Sequence, residues 1–118
     1  DAVIAHATAT PVGDLAEIRA IRHLFGDDAR RLRVTSLKGH TGHPAGAAGG
    51  MGLIAGLEAM RRSRLSAVAG TTEIDPQVDF RVPIFSQGGD DGEGRVKAIM
   101  VNAFGFGGQN ACLIATAA

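Results

Sequence analysis

Residues Ala2 to Ala5 form an uninterrupted apolar run bounded by His6, which predicts a short buried strand. Pro11 and Gly13 then mark a loop. Beyond it Leu15, Ile18, Ile21, Leu24 and Phe25 recur near the 3.6-residue repeat of a helix, with Arg19 and Arg22 among the exposed positions. Asp14 suits the N-cap, Glu17 stands at the third position of a capping box and Gly26 supplies a stop, so a helix is expected from Asp14 to Phe25. Arg33 to Ser36 reads as a second strand. A loop from Leu37 to Gly42 joins it to a second helix from about Pro44 to Arg62, with proline in its first turn.

That second helix is apolar yet carries Gly46, Gly49, Gly50, Gly52 and Gly56, each of which weakens helix propensity by about 1 kcal/mol relative to alanine. Tertiary packing must compensate. The uncharged stretch from Thr41 to Leu57 raises a membrane span, but its glycine content, polar start and Glu58 favour a helix buried at the centre of a layered α/β domain, so no membrane partner is expected. Short strands are expected near Ser66 to Val68 and Phe80 to Pro83, followed by a polar, glycine-rich tip from Gln87 to Gly94. Arg95 to Asn102 and Ala111 to Ala115 read as a final pair of strands joined by a Phe-Gly-Phe-Gly-Gly turn.

At 118 residues the chain is the size of one domain. It opens almost directly on an apolar run, without methionine, basic leader or turn, and is expected to be a fragment or excised domain of a longer protein. Twelve basic and twelve acidic residues balance and no long basic run occurs, which argues against a nucleic-acid partner. The single cysteine, Cys112, excludes an internal disulfide and fits a reducing compartment, with the cytoplasm as default. Among Ala111, Leu113 and Ile114 it reads as a buried structural thiol.

The candidate chemistry lies in the histidines. His6 alone, at the end of a buried strand, reads as a hydrogen-bonded core residue. His40 and His43 form a His-x-x-His pair that, with His6 as a third ligand, fits a metal ion, but the pair sits in a glycine-rich loop and no Cys or acidic cluster completes a tetrahedral set. The glycine runs could cradle phosphate, yet neither has Walker or Gly-x-Gly-x-x-Gly spacing. Arginines at 30, 31, 33 and at 61, 62, 64 read as solvated surface, with docking of an acidic carrier as the sharper alternative.

The order of the motifs is more specific than any one of them: His6-x-Thr8-x-Thr10-Pro-x-Gly-Asp14, a helix, a strand, Lys38-x-x-x-Gly-His43-x-x-Gly-Ala-Ala-Gly, a glycine-rich helix, then Asn102-x-Phe104-Gly105-Phe106-Gly107-Gly108-x-Asn110. This set resembles the C-terminal part of a β-ketoacyl synthase of the elongating, fatty-acid type, over residues 3 to 117. The resemblance implies an α/β, thiolase-like layered fold built of two similar halves. This chain would supply most of the second half, a mixed sheet with a buried glycine-rich helix, without its opening strand and helix. It implies decarboxylative Claisen condensation of an acyl thioester with a malonyl-carrier thioester, in fatty-acid or polyketide synthesis. By resemblance His6 and His43 are the active-site histidines, Lys38 the motif lysine, Thr8 and Thr10 the lining of the phosphopantetheine channel, and Phe104 to Gly108 the gating and oxyanion loop, with Phe106 as the gate. The nucleophilic cysteine is implied in an N-terminal half outside these residues, so the isolated chain is expected to be inactive. The implied partners are acyl carrier protein, that N-terminal half and a second copy of the parent enzyme. No cofactor or metal is implied, since the substrates ride on the carrier's phosphopantetheine.

Three positions depart from the family pattern. Ala7 replaces the usual glycine after the first histidine, narrowing the channel by a methyl. Gly52 stands where a glutamate usually joins the lysine, leaving Lys38 without its expected partner, and His40 is a candidate to replace that contact. These departures keep alive a catalytically silent partner subunit of the chain-length-factor kind. A half-molecule should also expose apolar surface meant for its missing mate.

Overall fold

Residues Ala2–Ile4 (β1) are apolar at every position because both faces of this strand are covered. In the computed structural model, which describes residues 1–87 and 94–118, β1 pairs in parallel with Arg33–Thr35 (β2) on one side and with Ala98–Gly105 (β3) on the other. Gln109–Thr116 (β4) returns antiparallel to β3, giving a mixed sheet of order β2-β1-β3-β4. An isolated parallel bridge from Arg33 to Arg81 extends the pairing beyond β2, and another joins Val68 to Ile84. The strands expected at 66–68 and 80–83 contract to these bridges. Both sides of β1 are therefore occupied.

Three helices complete the layers: Pro11–Phe25 (α1), the single turn Lys38–Thr41 (α2) and Ala48–Arg62 (α3). On one side of the sheet Val3, Ala5, Val34 and Phe80 pack with Ile21 of α1, and on the other Ile4, Ile99 and Val101 pack with Ala59 and Leu53 of α3. α1 begins three residues before the expected Asp14. Thr10 is the extended N-cap residue and Pro11 occupies the first turn, where its missing N–H costs nothing. Glu17 is thereby freed from capping and turns toward the sheet, while Asp14 faces the amides of Thr8 to Thr10. The loop expected at 37–42 tightens into α2, and α3 starts only at Ala48 because Ala45, at φ 48°, interrupts regular helix after Pro44.

Gly49, Gly52 and Gly56 recur at helical spacing on the face of α3 that meets β3. A Cβ at Gly52 would lie 2.8 Å from Val101, and one at Gly56 would lie 2.1 Å from Ile99. The glycines let the helix sit on the sheet more closely than any side chain permits, which is the compensation its weak propensity requires. β3 keeps the expected length but lies three residues later in the chain, and β4 runs longer than expected, with paired residues from Ala98↔Thr116 to Gly105↔Gln109. The expected tip at 87–94 falls mostly on residues 88–93, outside the described residues.

β4 is an edge strand with almost no cover. Leu113 and Ile114 are exposed, as are Ile54 and Leu57 on α3, so apolar surface of the kind expected of a half-molecule is present. The same lack of cover corrects the reading of Cys112: the thiol is exposed, because nothing lies over β4 among the described residues. No helix of the described residues is long and apolar enough to cross a membrane.

The glycine stripe predicts substitutions of opposite sign. Gly56→Ala should destabilise the fold by about 1–3 kcal/mol through overpacking against Ile99. Gly50→Ala, whose methyl meets no atom within 4 Å, should stabilise it by up to about 1 kcal/mol through propensity. Urea denaturation midpoints that move the same way in both variants would refute this account of α3.

Candidate active site

The site is built where β1 ends. His6 leaves the strand into a turn that places Ala7 at φ 28° and Ala9 at φ 60°, backbone settings that side chains other than glycine seldom adopt. Glycine after the histidine would relieve this strain, so the cost of Ala7 falls on the backbone. Two carboxylates one turn apart on α1 hold the loop. Glu17, 5% exposed, accepts the His6 N–H at Oε1 (2.9 Å) and the Ala7 N–H at Oε2 (2.8 Å). Asp14 lies under Thr8, Ala9 and Thr10. Burial raises its pKa, while the facing backbone amides of those residues, Thr10 foremost, favour the charged form; its Oδ1 is buried without a hydrogen-bond partner among the described residues.

Two imidazoles meet above this turn. The His6 and His43 rings stand edge to face with centroids 5.4 Å apart. The Phe104 N–H donates to Nδ1 of His6 (3.2 Å) and the Ala45 N–H donates to Nδ1 of His43 (3.1 Å). A ring nitrogen that accepts a hydrogen bond carries no proton, so in each neutral ring the proton resides on Nε2. The site thus holds two touching imidazoles, each with its remaining donor at Nε2. The Phe104 ring packs 5.3 Å from that of His6.

Lys38 supports this arrangement rather than facing it as a nucleophile. Its Nζ donates to the His6 carbonyl. Burial lowers its pKa, and the negative charges of Glu17 and Asp14 oppose that shift. These α1 carboxylates supply the field left in question by Gly52. A side chain at Gly52 would run into Val101, and between it and Lys38 only a void of about 20 Å³ remains, edged by Leu37, Met51 and Asn102. His40 does not stand in for the missing glutamate. Its Nε2 donates to the Ala67 carbonyl (2.7 Å) and its ring abuts Phe85, on the opposite side of the α2 turn. The His-x-x-His pair, which the sequence disfavours as metal ligands, is split, with His40 against Phe85 and His43 against His6, and among the described residues no group of three His, Cys, Asp or Glu is placed to hold an ion.

Of the other expected site residues, Thr8 and Thr10 lie on the histidine turn with their hydroxyls 3.3 Å apart. Gly105 ends β3, and Gly107 (φ 82°) and Gly108 (φ 80°) close the hairpin. Phe106 projects fully exposed from its tip, so Phe104 is the aromatic in contact with His6. Sequence reasoning missed two residues. Glu17 was assigned to a capping box, although its i, i+3 spacing from Asp14 already placed both carboxylates on one helix face. Asn102, buried on β3, donates its amide NH₂ to Glu17 Oε1 (2.8 Å), and no pattern in the sequence pairs positions 85 residues apart.

A mixed sheet with a close-packed glycine helix on one face, carrying paired imidazoles at the strand ends, is part of a thiolase-like fold. The family "Beta-ketoacyl synthase, C-terminal domain" matches residues 1–72. The 3-oxoacyl-[acyl-carrier-protein] synthase 2 of Staphylococcus aureus is 40% identical over 111 residues, covering 93% of this chain and 26% of its own length. That of Coxiella burnetii is 36% identical over 115 residues, covering 97% and 27%. Among solved structures, the ishigamide ketosynthase/chain length factor superposes with a TM-score of 0.83 at 30% identity, covering 97% of this chain and 27% of that one. Ketosynthase twelve of the bacillaene polyketide synthase of Bacillus amyloliquefaciens gives 0.79 at 25% identity, covering 96% and 21%. This chain belongs to the β-ketoacyl synthase family, as a C-terminal part, and spans about a quarter of the length of the curated relatives it matches.

The environment of His6 sets its titration. Burial lowers its pKa below the ordinary 6.5, the Lys38 charge adds to that, and Glu17 works against it. The folded state therefore binds this proton less readily than the unfolded chain, so its contribution to stability is present above about pH 6.5 and is lost as pH falls through the lowered value. A proton-NMR titration should place His6 below 6.5, and Lys38→Met should raise it. A Lys38→Met value equal to or below wild type would contradict the assigned role of Lys38.

Proposed function

We propose that this chain is the oxyanion-binding part of a 3-oxoacyl-[acyl-carrier-protein] synthase. The carrying observation is that backbone amides occupy Nδ1 of both His6 and His43, whose rings are in contact, which leaves each ring a donor at Nε2. In the proposed reaction a malonyl-carrier thioester loses carbon dioxide, and the electron pair of the broken carbon–carbon bond enters an enolate. The two donors stabilise the enolate oxygen. The enolate carbon then attacks the carbonyl of an acyl group held on a cysteine outside this chain. A carbon–carbon bond forms, the carbon–sulfur bond breaks, and the cysteine leaves as thiolate. His6 and His43 touch the reacting oxygen, Lys38 holds the His6 carbonyl, and the Thr8–Thr10 edge borders the entry for phosphopantetheine. Acyl carrier protein, the N-terminal half and a homodimeric parent complete this reading.

A second reading keeps the fold without the chemistry. The ishigamide neighbour is a ketosynthase/chain length factor pair, and the strained Ala7 and the absent acid at Gly52 suit a silent partner subunit. Intact mass spectrometry with peptide mapping on the complete synthase, after incubation with an acyl carrier thioester, separates the two. An acyl adduct on a cysteine outside residues 1–118 supports the enzyme. A folded protein with no adduct supports the silent subunit, and an adduct on Cys112 overturns the assignment of the nucleophile. In the enzyme, His6→Ala or His43→Ala should cut condensation by about 100- to 1000-fold, the scale of one lost oxyanion donor, while acyl transfer to the cysteine persists.

A further inference from the structure

The histidine turn is held at a distance by residues that touch no reacting atom. Asn102 and Cys112 face each other across β3 and β4. Asn102 is 6% exposed, and its amide is engaged at both ends. The NH₂ donates to Glu17 Oε1 at 2.8 Å, and the Cys112 thiol donates to Oδ1 at 3.2 Å. The chemistry of the ends fixes the orientation of the middle. Glu17 already receives the His6 and Ala7 amides, so it acts as acceptor and the Asn102 NH₂ must face it. The amide oxygen then points outward along the edge strand, where only a donor suits it, and the thiol at this position is one.

We propose that Asn102 is a positioning residue for His6, and that Cys112 holds Asn102 in its working orientation. The connection runs from Cys112 through Asn102 to Glu17, and from Glu17 to the backbone of His6 and Ala7. It closes on the other side of the imidazole, because Phe104, whose N–H holds Nδ1, lies two residues along β3 from Asn102. β3 therefore fixes His6 twice, through its own backbone at 104 and through a side chain at 102. Loss of the Asn102 donor frees Glu17 to follow the strained turn. His6 then moves relative to the Phe104 amide, and its Nε2–H no longer aims where the oxyanion forms. Cys112 acts more weakly, since a thiol is a weak donor; the oxygen it covers otherwise turns to water at the open edge.

The inference rests on His6 as an oxyanion donor, so the test reads the imidazole and the turnover separately. In the complete synthase with ¹⁵N-labelled histidine, Asn102→Leu removes the donor without adding charge. It should lower kcat about 10-fold, the scale of one hydrogen bond to a charged group, with KM changed less than twofold, and should move the His6 titration up toward its ordinary value. Cys112→Ala should lower kcat about threefold, the scale of a weak neutral hydrogen bond, and Cys112→Ser should restore it. Because Cys112 is exposed, this pair remains readable even where Asn102→Leu fails to fold. Wild-type kcat together with an unmoved His6 titration in Asn102→Leu and Cys112→Ala overturns the proposal. If the synthase shows no condensation at all, the reading of function fails, and a His6 titration that still shifts in Asn102→Leu upholds the positioning role by itself.

Discussion

A single buried carboxylate organises this site. Glu17 gathers the amides of His6 and Ala7 and the side-chain NH₂ of Asn102, and a carboxylate taken from water into the space under a sheet persists only when donors replace the lost hydration. The donors it finds belong to two separate stretches of chain, and the carboxylate itself stands on a third. Satisfying one buried charge therefore fixes the entry to α1, the end of β1 and the middle of β3 relative to one another. Strain in the turn, at Ala7 and Ala9, is held in place by the same contacts. Asp14 repeats the arrangement one helical turn earlier, and Lys38 binds the His6 carbonyl from the opposite side.

The second constraint is distance. His43 precedes α3, and it reaches His6 because α3 lies close on β1 and β3 through Gly52 and Gly56. A helix so rich in glycine has little stability by itself. It forms here because the sheet supplies a complementary surface in Ile4, Ile99 and Val101. Its outer face bears Ile54 and Leu57, and β4 bears Leu113 and Ile114, all exposed. Those faces have the apolar character of surfaces that pack against further protein, in keeping with a chain that spans about a quarter of its curated relatives.

Charge around the imidazoles alternates. Glu17 and Asp14 lie beneath the turn and Lys38 beside it, and the balance leaves His6 less easily protonated than an ordinary histidine. A neutral imidazole with its Nδ1 occupied is a hydrogen-bond donor of fixed direction, which suits stabilisation of a developing negative charge better than a freely titrating ring. No acid stands at Gly52, and the negative field acting on Lys38 comes from Glu17 and Asp14 on α1.

Much of this was legible in the order of residues. The apolar run at Ala2–Ile4, the helical periodicity from Leu15 to Phe25, the glycine-rich helix and the closing hairpin were each recoverable, because local periodicity reflects which faces are buried. The motif order singles out His6, Lys38 and His43, which the fold brings into contact. The start of α1 was misjudged because Pro11 begins the helix and so releases Asp14 and Glu17 from the capping they appeared suited to. The apolar neighbours of Cys112 suggest a buried thiol, yet among the described residues nothing packs over β4, and the residue is exposed. The ring tautomers, the Glu17 cluster and the link from Cys112 to His6 were settled only by tertiary structure. Each depends on hydrogen bonds between residues brought together from distant parts of the chain, and sequence patterns register burial and local geometry but not which donor meets which acceptor.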